Sequence, residues 1–394
     1  MRILLVNAHG ADLAYGGAER YVHDLRTGLE HAGEESAVLS AFPTRADSSS
    51  ELHVLHATDW REDRVRRFRN HAADWVAPAS DRMTERLRTL APDLVHSSNL
   101  PGITTGIWEC ARRLGIPVVH TPHDYALMCP RTTLMRRDGT PCAPHPLLCG
   151  MRTRSLARWA PAVDEVIGIS AHLLAAHDGW FEPTTGTQVI LPPLAAVTDP
   201  RGGALPAPGP ALRTLGFTGA LSPHKGVAML LSAAPGLAEL GIRLRVAGGG
   251  PMQEAVAGAP GVEYAGRLTG PALVEFMAGC DAGIVPSLWE EPGLTFSALE
   301  WLGAGRPVLT TARGGLAELP LGAVAPLTGA ADDLLTRATA LREPDAFAAW
   351  VAGLPAVDGE RDRRRWIDAH RDVYARAFAT RSAAGPAAGG RVRS

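Results

Sequence analysis

Leu288-Trp-Glu-Glu-Pro-Gly-Leu-Thr-Phe-Ser-Ala-Leu-Glu300, with Gly303-Ala-Gly-Arg-Pro-Val308 behind it, reads as a glycine turn that opens a helix. Glu290 and Glu291 stand before the turn and Glu300 lies inside the helix. Ile284-Val-Pro-Ser287 just ahead reads as a strand end, and Pro307-Val-Leu-Thr-Thr311 as the next strand. The carboxylates then sit at the carboxyl edge of a parallel sheet, where open α/β folds bind ligands. A helix start offers unpaired backbone N–H groups and the positive end of a dipole to a diphosphate. A glutamate farther along the helix can reach ribose hydroxyls. Three glutamates alone would also suit an exposed helix face; the flanking strands favour the site.

Working outward, 394 residues suffice for two domains with separate cores. Hydrophobic residues make up 46% and charged residues 20%, a globular composition. Lys plus Arg number 39 and Asp plus Glu 41, a net charge of −2 that gives no electrostatic case for nucleic acid. The arginines from Arg61 to Arg69 fit a solvated helix face or a contact with an anionic surface. No stretch has the length of a transmembrane helix, and Arg2-Ile-Leu-Leu-Val6 is too short and strand-like for a signal peptide. The expected location is cytoplasmic. Five cysteines in so long a chain make no disulfide framework. Cys110 and Cys280 fall in helical patterns and read as buried small hydrophobes.

The first half alternates strand and helix: strands at 2–7, 36–39, 93–96, 117–121, 165–169 and 187–191, helices at 17–31, 81–90, 103–114 and 171–179. Such alternation implies right-handed crossovers and a doubly wound parallel sheet. Between about Ala195 and Ala211 the chain fills with Pro and Gly, and the same rhythm resumes beyond. The expected fold class is therefore α/β, with two Rossmann-like doubly wound domains facing across a cleft. Residues 1–195 form the first domain, 196–211 a linker and 212–360 the second domain. Residues 361–380 form a terminal helix free to pack back on the first domain, and 381–394, small and Gly/Ala-rich, a disordered tail.

Three further turns carry chemistry. Strand one runs into a loop ending Tyr15-Gly16-Gly17-Ala18-Glu19, where glycine lets backbone N–H groups approach a phosphate or sugar. It lacks G-x-G-x-x-G spacing, which disfavours a dinucleotide site. Phe217-Thr-Gly219 through Lys225-Gly226 repeats strand, turn and helix start, with a lysine that either meets a diphosphate or decorates the surface. Arg245-Val-Ala-Gly248-Gly-Gly-Pro251 and Gly266-Arg267-Leu268 follow later strands.

Together these residues resemble the retaining glycosyltransferases of the GT-B fold, family four (glycosyl transferases group 1). The resemblance runs from Gly16-Gly17-x-Glu19 through Asp93-Leu-Val-His96-Ser-Ser-Asn99, His123-Asp-Tyr-Ala-Leu-Met-Cys-Pro130, Gly219-x-Leu-Ser-Pro-x-Lys225-Gly226 and Gly248-Gly-Gly-Pro251 to the glutamate-bearing helix. It implies transfer of a sugar from a nucleoside diphosphate donor, held by the C-terminal domain, to an acceptor on the N-terminal side, with the anomeric configuration kept. It also implies roles. Lys225 contacts the diphosphate, Glu300 the ribose and Glu291 the donor sugar, while Gly293, Leu294 and Thr295 offer N–H groups. His123 sits against the reacting sugar, and Gly16 and Gly17 lie near the phosphates. Gly219, Gly248 and Arg267 complete the donor side; Tyr15, Glu19, Asn99 and Tyr125 face the acceptor.

Two features depart from the family pattern. The paired glutamates usually have seven residues between them; here 300 − 291 = 9, so eight intervene. An arginine common shortly before the lysine is replaced by Ala220. Cys129, Cys142 and Cys149 with His145 allow a structural zinc site, but without any C-x-x-C pair a loop over the acceptor side is preferred. No catalytic metal or cofactor is expected beyond the donor itself, a UDP- or GDP-sugar by family habit. The expected mechanism has the acceptor attack from the face the diphosphate leaves. Lys225 and the helix N-terminus would stabilise the departing charge, and domain closure would exclude water. High Ala, Arg and Gly usage resembles a high-GC bacterial protein. The acceptor would be a glycan precursor, glycolipid or secondary metabolite, with a peripheral contact at the inner membrane face if it is lipid-linked. The competing readings are a GT-B sugar-nucleotide epimerase and a non-catalytic sugar-nucleotide sensor or scaffold.

Overall fold

The computed structural model describes residues 1–9, 16–42, 52–54, 75–76, 78–136, 140–143, 146–194, 197–199, 203–320, 322 and 324–383. The chain divides into two compact units, the first made of residues 1–134, 142–192 and 364–394, the second of 135–141 and 193–363.

In the first unit the described strands are β1 (Arg2–Asn7), β2 (Glu35–Ser40), β3 (Leu52–Val54), β4 (Leu94–Ser97), β5 (Val118–His120), β6 (Glu165–Gly168) and β7 (Gly186–Val189). They form one parallel sheet in the order β3-β2-β1-β4-β5-β6-β7. The helix Gly17–His31 buries Tyr21, Val22, Leu25 and Leu29, the 3.6-residue stripe read from the sequence. Ser80 caps Asp81–Leu90 by accepting from the Met83 N–H at 3.2 Å, and Ser170 caps Ala171–Ala176 by accepting from the Leu173 N–H at 2.9 Å. The helix expected from residue 103 begins at Gly106, because Thr104 adopts φ 74° and its hydroxyl oxygen accepts from the Gly106 N–H. Three-residue β3 has no periodicity to read. Helix Leu147–Ala157 carries leucines on its exposed side and was also not anticipated.

In the second unit the described strands are β8 (Thr214–Ala220), β9 (Arg243–Gly249), β10 (Val262–Tyr264), β11 (Ala282–Val285), β12 (Val308–Thr310) and β13 (Val324–Pro326), all parallel, in the order β10-β9-β8-β11-β12-β13. This is the doubly wound arrangement, with the order reversing between β8 and β11. Leu215, Phe217, Leu244, Val246 and Ile284 from the strands pack with Leu230 and Leu237 of helix Val227–Glu239. The carboxylate of Asp281 accepts from the N–H groups of Gly209, Arg213 and Thr214 at 2.8–2.9 Å and so ties the Pro/Gly-rich approach segment to the start of β11.

The last helix, Gly359–Ala383, starts in the second unit, and from Arg364 onward it belongs to the first. There it buries Trp366, Ile367, His370, Val373, Tyr374 and Ala377. It crosses helix Gly17–His31 at Gly28, where a Cβ would come within 2.3 Å of the Ile367 side chain. A polar seam runs under it. The Tyr21 hydroxyl meets His370 Nε2 at 2.6 Å, the Tyr374 hydroxyl meets His96 Nδ1 at 2.8 Å, and His96 Nε2 meets the Thr121 hydroxyl at 2.8 Å. Farther along, Arg376 pairs with Glu165 at 3.3 Å and Arg381 with Asp164 at 2.7 Å.

Because one half of the Tyr374–His96 bond lies on the helix and the other on β4, Tyr374→Phe strands a buried ring nitrogen. It should cost the folded chain about 1–3 kcal/mol in urea unfolding, without loss of secondary structure at 25 °C. The histidines also make the first unit acid-sensitive. Burial pushes His123 and His370 down to about 4 and His120 to about 3, and His96 well below its ordinary value of 6.5. These rings stay neutral in the fold and protonate on unfolding, so their contribution is full above about pH 6.5 and is lost as pH falls towards 4. Asp124, which burial pushes up to about 6, acts in the opposite sense. Unfolding at pH 5.5, followed by calorimetry in buffers of different ionisation enthalpy, should take up protons on balance.

Candidate functional site

The switch point of the second sheet lies between the carboxyl ends of β8 and β11, which pair directly. After β8 a 3-10 turn, Pro223–Lys225, ends at Gly226 with φ 76°. A Cβ there would stand 1.9 Å from the Pro286 carbonyl oxygen, so only glycine lets this turn pack on the end of β11. The Leu288 N–H donates to the His224 carbonyl at 2.8 Å and closes the contact.

Lys225 and Glu291, 66 residues apart in the chain, meet as a result: Nζ lies 2.6 Å from Oε1. The Ser287 hydroxyl donates to the same carboxylate oxygen. Ser287 is itself held through its carbonyl, which accepts from the Thr311 hydroxyl at 2.5 Å. The Glu291 carbonyl accepts from the Gly315 N–H at 2.7 Å, which fixes the backbone under the carboxylate. The Trp289 ring centroid lies 5.3 Å from Nζ, and the His224 ring meets that indole edge-on at 5.4 Å. The Glu291 side chain is 2% exposed and that of Lys225 25%, so the couple presents its positive member to solvent.

Past Glu291, residues 292–294 are buried and Thr295 takes φ 56°. Its hydroxyl oxygen accepts from the Ala298 N–H at 3.3 Å and caps the helix Phe296–Gly303. The eight residues between Glu291 and Glu300 run through this turn, and Glu300 lies half-buried on an unbroken helix. At the same edge Gly219 of β8 pairs with Gly248 of β9, and the Gly248 N–H donates to the Gly266 carbonyl at 2.8 Å, next to exposed Arg267. The sequence-derived donor-side residues of the second unit therefore lie on strand ends, on the turns after them and on the helix Phe296–Gly303 at one sheet edge. Sequence reading missed the supporting Ser287, Trp289 and His224. Ser287 was visible only as the residue closing the expected strand.

In the first unit, Gly16 and Gly17 open the helix after β1, and Glu19 sits buried on its first turn. The Asn7 amide donates to Glu19 at 3.3 Å, His9 Nδ1 lies 3.7 Å from the same oxygen, and the Asn99 N–H donates to the Asn7 side chain at 3.1 Å. Burial alone would raise the Glu19 carboxyl, but hydrogen bonds with His9 and Asn7 outweigh it and hold it below the ordinary value. His123, after β5, lies edge-on to Tyr21 at 4.6 Å between ring centroids, and among the described residues its Nε2 has no hydrogen-bond partner. It lines a cavity with Asn99, Thr104, His120, Asp124 and Arg152. Asp124 accepts from the Ala126 N–H at 2.7 Å, and Arg152, almost fully buried, donates to the Ala126 carbonyl at 2.7 Å. Tyr125 is inside the fold, its hydroxyl 3.0 Å from His172 Nε2, and so supports this loop from within. Tyr15 and His145 lie outside the described residues. Cys110, Cys129 and Cys280 are buried thiols, Cys142 and Cys149 half-buried ones. Among the described residues no group of three or more His, Cys, Asp or Glu is placed to hold a metal ion.

Residues 15–184 match the family model Glycosyltransferase Family 4, and residues 212–354 match Glycosyl transferases group 1. The chain is 26% identical over 378 residues to a glycogen synthase of Mycobacterium tuberculosis, covering 87% of this chain and 85% of that protein. Its fold is similar to that of sucrose-phosphate synthase from Thermosynechococcus elongatus, with a TM-score of 0.59 at 17% identity over 98% of each chain. It is also similar to Anabaena Alr3699/HepE, solved with UDP-glucose, with a TM-score of 0.59 at 16% identity over 98% of this chain and 99% of that one. With one family match on each half of the sequence and the GT-B fold shared throughout, the chain belongs to the family 4, group 1 glycosyltransferases.

Proposed function

We propose that the chain transfers a sugar from a nucleoside diphosphate sugar to an acceptor hydroxyl with retention of anomeric configuration. The observation that carries this reading is the Lys225–Glu291 couple, seated at the switch point just ahead of a capped helix. The donor diphosphate lies against Lys225 and the N–H groups from Gly293 to Thr295, with Gly219, Gly248 and Arg267 along the same edge. Glu300 takes the ribose hydroxyls. Glu291 holds Lys225 in place and accepts from hydroxyls of the donor sugar. As the glycosidic bond to phosphate breaks, charge builds on the leaving oxygen. A fixed ammonium and fixed N–H dipoles stabilise that charge without reorganising. The departing phosphate takes the proton of the acceptor hydroxyl, so no protein base and no metal are assigned.

The acceptor side is assigned to the first unit, at the edge formed by Glu19 and Asn99, and His123 beside it is assigned to the reacting sugar. His123 is neutral at pH 7 and has an unpaired buried nitrogen, which suits it to hold a hydroxyl rather than to deliver charge.

The test is calorimetry and turnover over a panel of UDP-, GDP-, ADP- and dTDP-sugars. One donor should bind, and Lys225→Ala and Glu300→Ala should each weaken it at least about tenfold. Lys225→Ala should also lower transfer by about 10²–10³ in kcat. NMR of the product should give the donor's anomeric configuration, and donor alone should yield no epimer. Binding to no nucleotide sugar would sink the reading.

A further inference from the structure

Helix Leu147–Ala157 turns the wrong residues outward. Leu147 is 90% exposed, Leu148 62% and Met151 59%. On its inner face the helix buries Arg152 and Leu156. The outward stripe continues as Arg154 and Arg158, both exposed, so positions 147, 151, 154 and 158 fall on one face by 3–4 spacing. Beside it lie Trp75, 38% exposed, and Val76, 59% exposed. Their carbonyls accept from the Ser155 hydroxyl and the Arg158 guanidinium, which places these two residues at the C-terminal end of the helix. Exposed Arg131 stands on the preceding segment of the same unit, and the described residues from 125 to 163 include no Asp or Glu. At 1.5 Å per residue, Arg154 sits about 10 Å behind Leu147 along the helix axis.

We propose that this face docks the protein on an anionic lipid bilayer. The helix tip enters the boundary between headgroups and acyl chains, and the arginines remain at the level of the lipid phosphates. Scattered exposed apolar residues are ordinary on a soluble protein; a helix tip of two leucines and a methionine backed by arginines and free of carboxylates is not. Shallow insertion of apolar side chains joined to basic residues is the physical pattern of interfacial binding. Charge decides the occupant: a neutral protein groove would gain nothing from the arginines, whereas an anionic surface is attracted by each. No described helix is long and apolar enough to cross a membrane, so the contact is at the surface. The inference stands apart from the assigned chemistry, since docking requires neither donor nor turnover.

The experiment is co-sedimentation of the full chain with vesicles of phosphatidylcholine alone and of phosphatidylcholine with phosphatidylglycerol. Binding to the anionic vesicles only is expected, falling at least about tenfold between 0.05 and 0.5 M salt. The triple variant Leu147→Ser, Leu148→Ser, Met151→Ser should lose at least about tenfold in partitioning, as should Arg154→Ala with Arg131→Ala. Each should keep the wild-type thermal midpoint, because the altered side chains are exposed. Equal binding to both vesicle types, or anionic binding untouched by either variant, would overturn the proposal. So would absence of vesicle binding together with self-association that the serine variant abolishes, which would assign the face to a second copy of the chain.

Discussion

A parallel strand cannot return through a tight turn; each must be followed by a crossover that carries the chain back to the other end of the sheet. In both units of this protein that constraint puts every strand-to-helix loop on the carboxyl edge, and the reversal of strand order leaves one place where adjacent loops part. In the second unit this is the gap after β8 and β11, and the loops that open there carry Lys225 and Glu291. The approach of the two loops is set by sterics before charge matters: Gly226 has no side chain, and the β11 carbonyl fills the space where one would be. The ion pair follows from that contact, and removing the lysine would leave a buried carboxylate with a serine hydroxyl as its described partner.

The first unit meets the same geometric demand with different chemistry. Its edge is rich in imidazoles and phenols, with several of the rings held neutral by burial, and Glu19 beside β1 is held below its ordinary value by His9 and Asn7. Neutral donors and acceptors suit hydroxyl groups; a fixed ammonium suits a diphosphate. The asymmetry between the two edges is therefore electrostatic: one offers neutral polar groups, the other a fixed positive charge. The terminal helix adds to it, because His370 and Tyr374 supply half of the polar seam beneath that edge.

Much of this was legible in the sequence. The strands whose residues alternate or run apolar over four or more positions could be read, as could the helices with a clear stripe, such as Gly17–His31. Leu52–Val54 and Val324–Pro326 went unread; each is a three-residue strand at a sheet edge. Helix Leu147–Ala157 was illegible for a different reason: its apolar residues fall on both sides, Leu147 and Met151 outward and Leu156 inward, so no one-sided stripe marks it. In the site, Lys225, Glu291 and Glu300 were found from turn-and-helix context. Ser287, Trp289 and Arg152 were not, because a residue whose support acts through a single contact elsewhere in the chain leaves no motif of its own.

Thr295 shows how such a site absorbs variation. Glu291 is fixed from behind by Gly315 and Ser287, and Glu300 is fixed by an unbroken helix packed through Leu299, Trp301 and Leu302. With both ends anchored, an added residue must be stored between them, and it cannot be stored in the helix without rotating Glu300 by about 100°. The turn is the remaining place, and there a threonine sits at φ 56°, a conformation that costs a β-branched residue of order 1–3 kcal/mol. Its hydroxyl oxygen recovers part of that by accepting from the Ala298 N–H. Backbone strain at one residue thus falls between two anchored carboxylates, in the turn that joins Glu291 to the helix carrying Glu300.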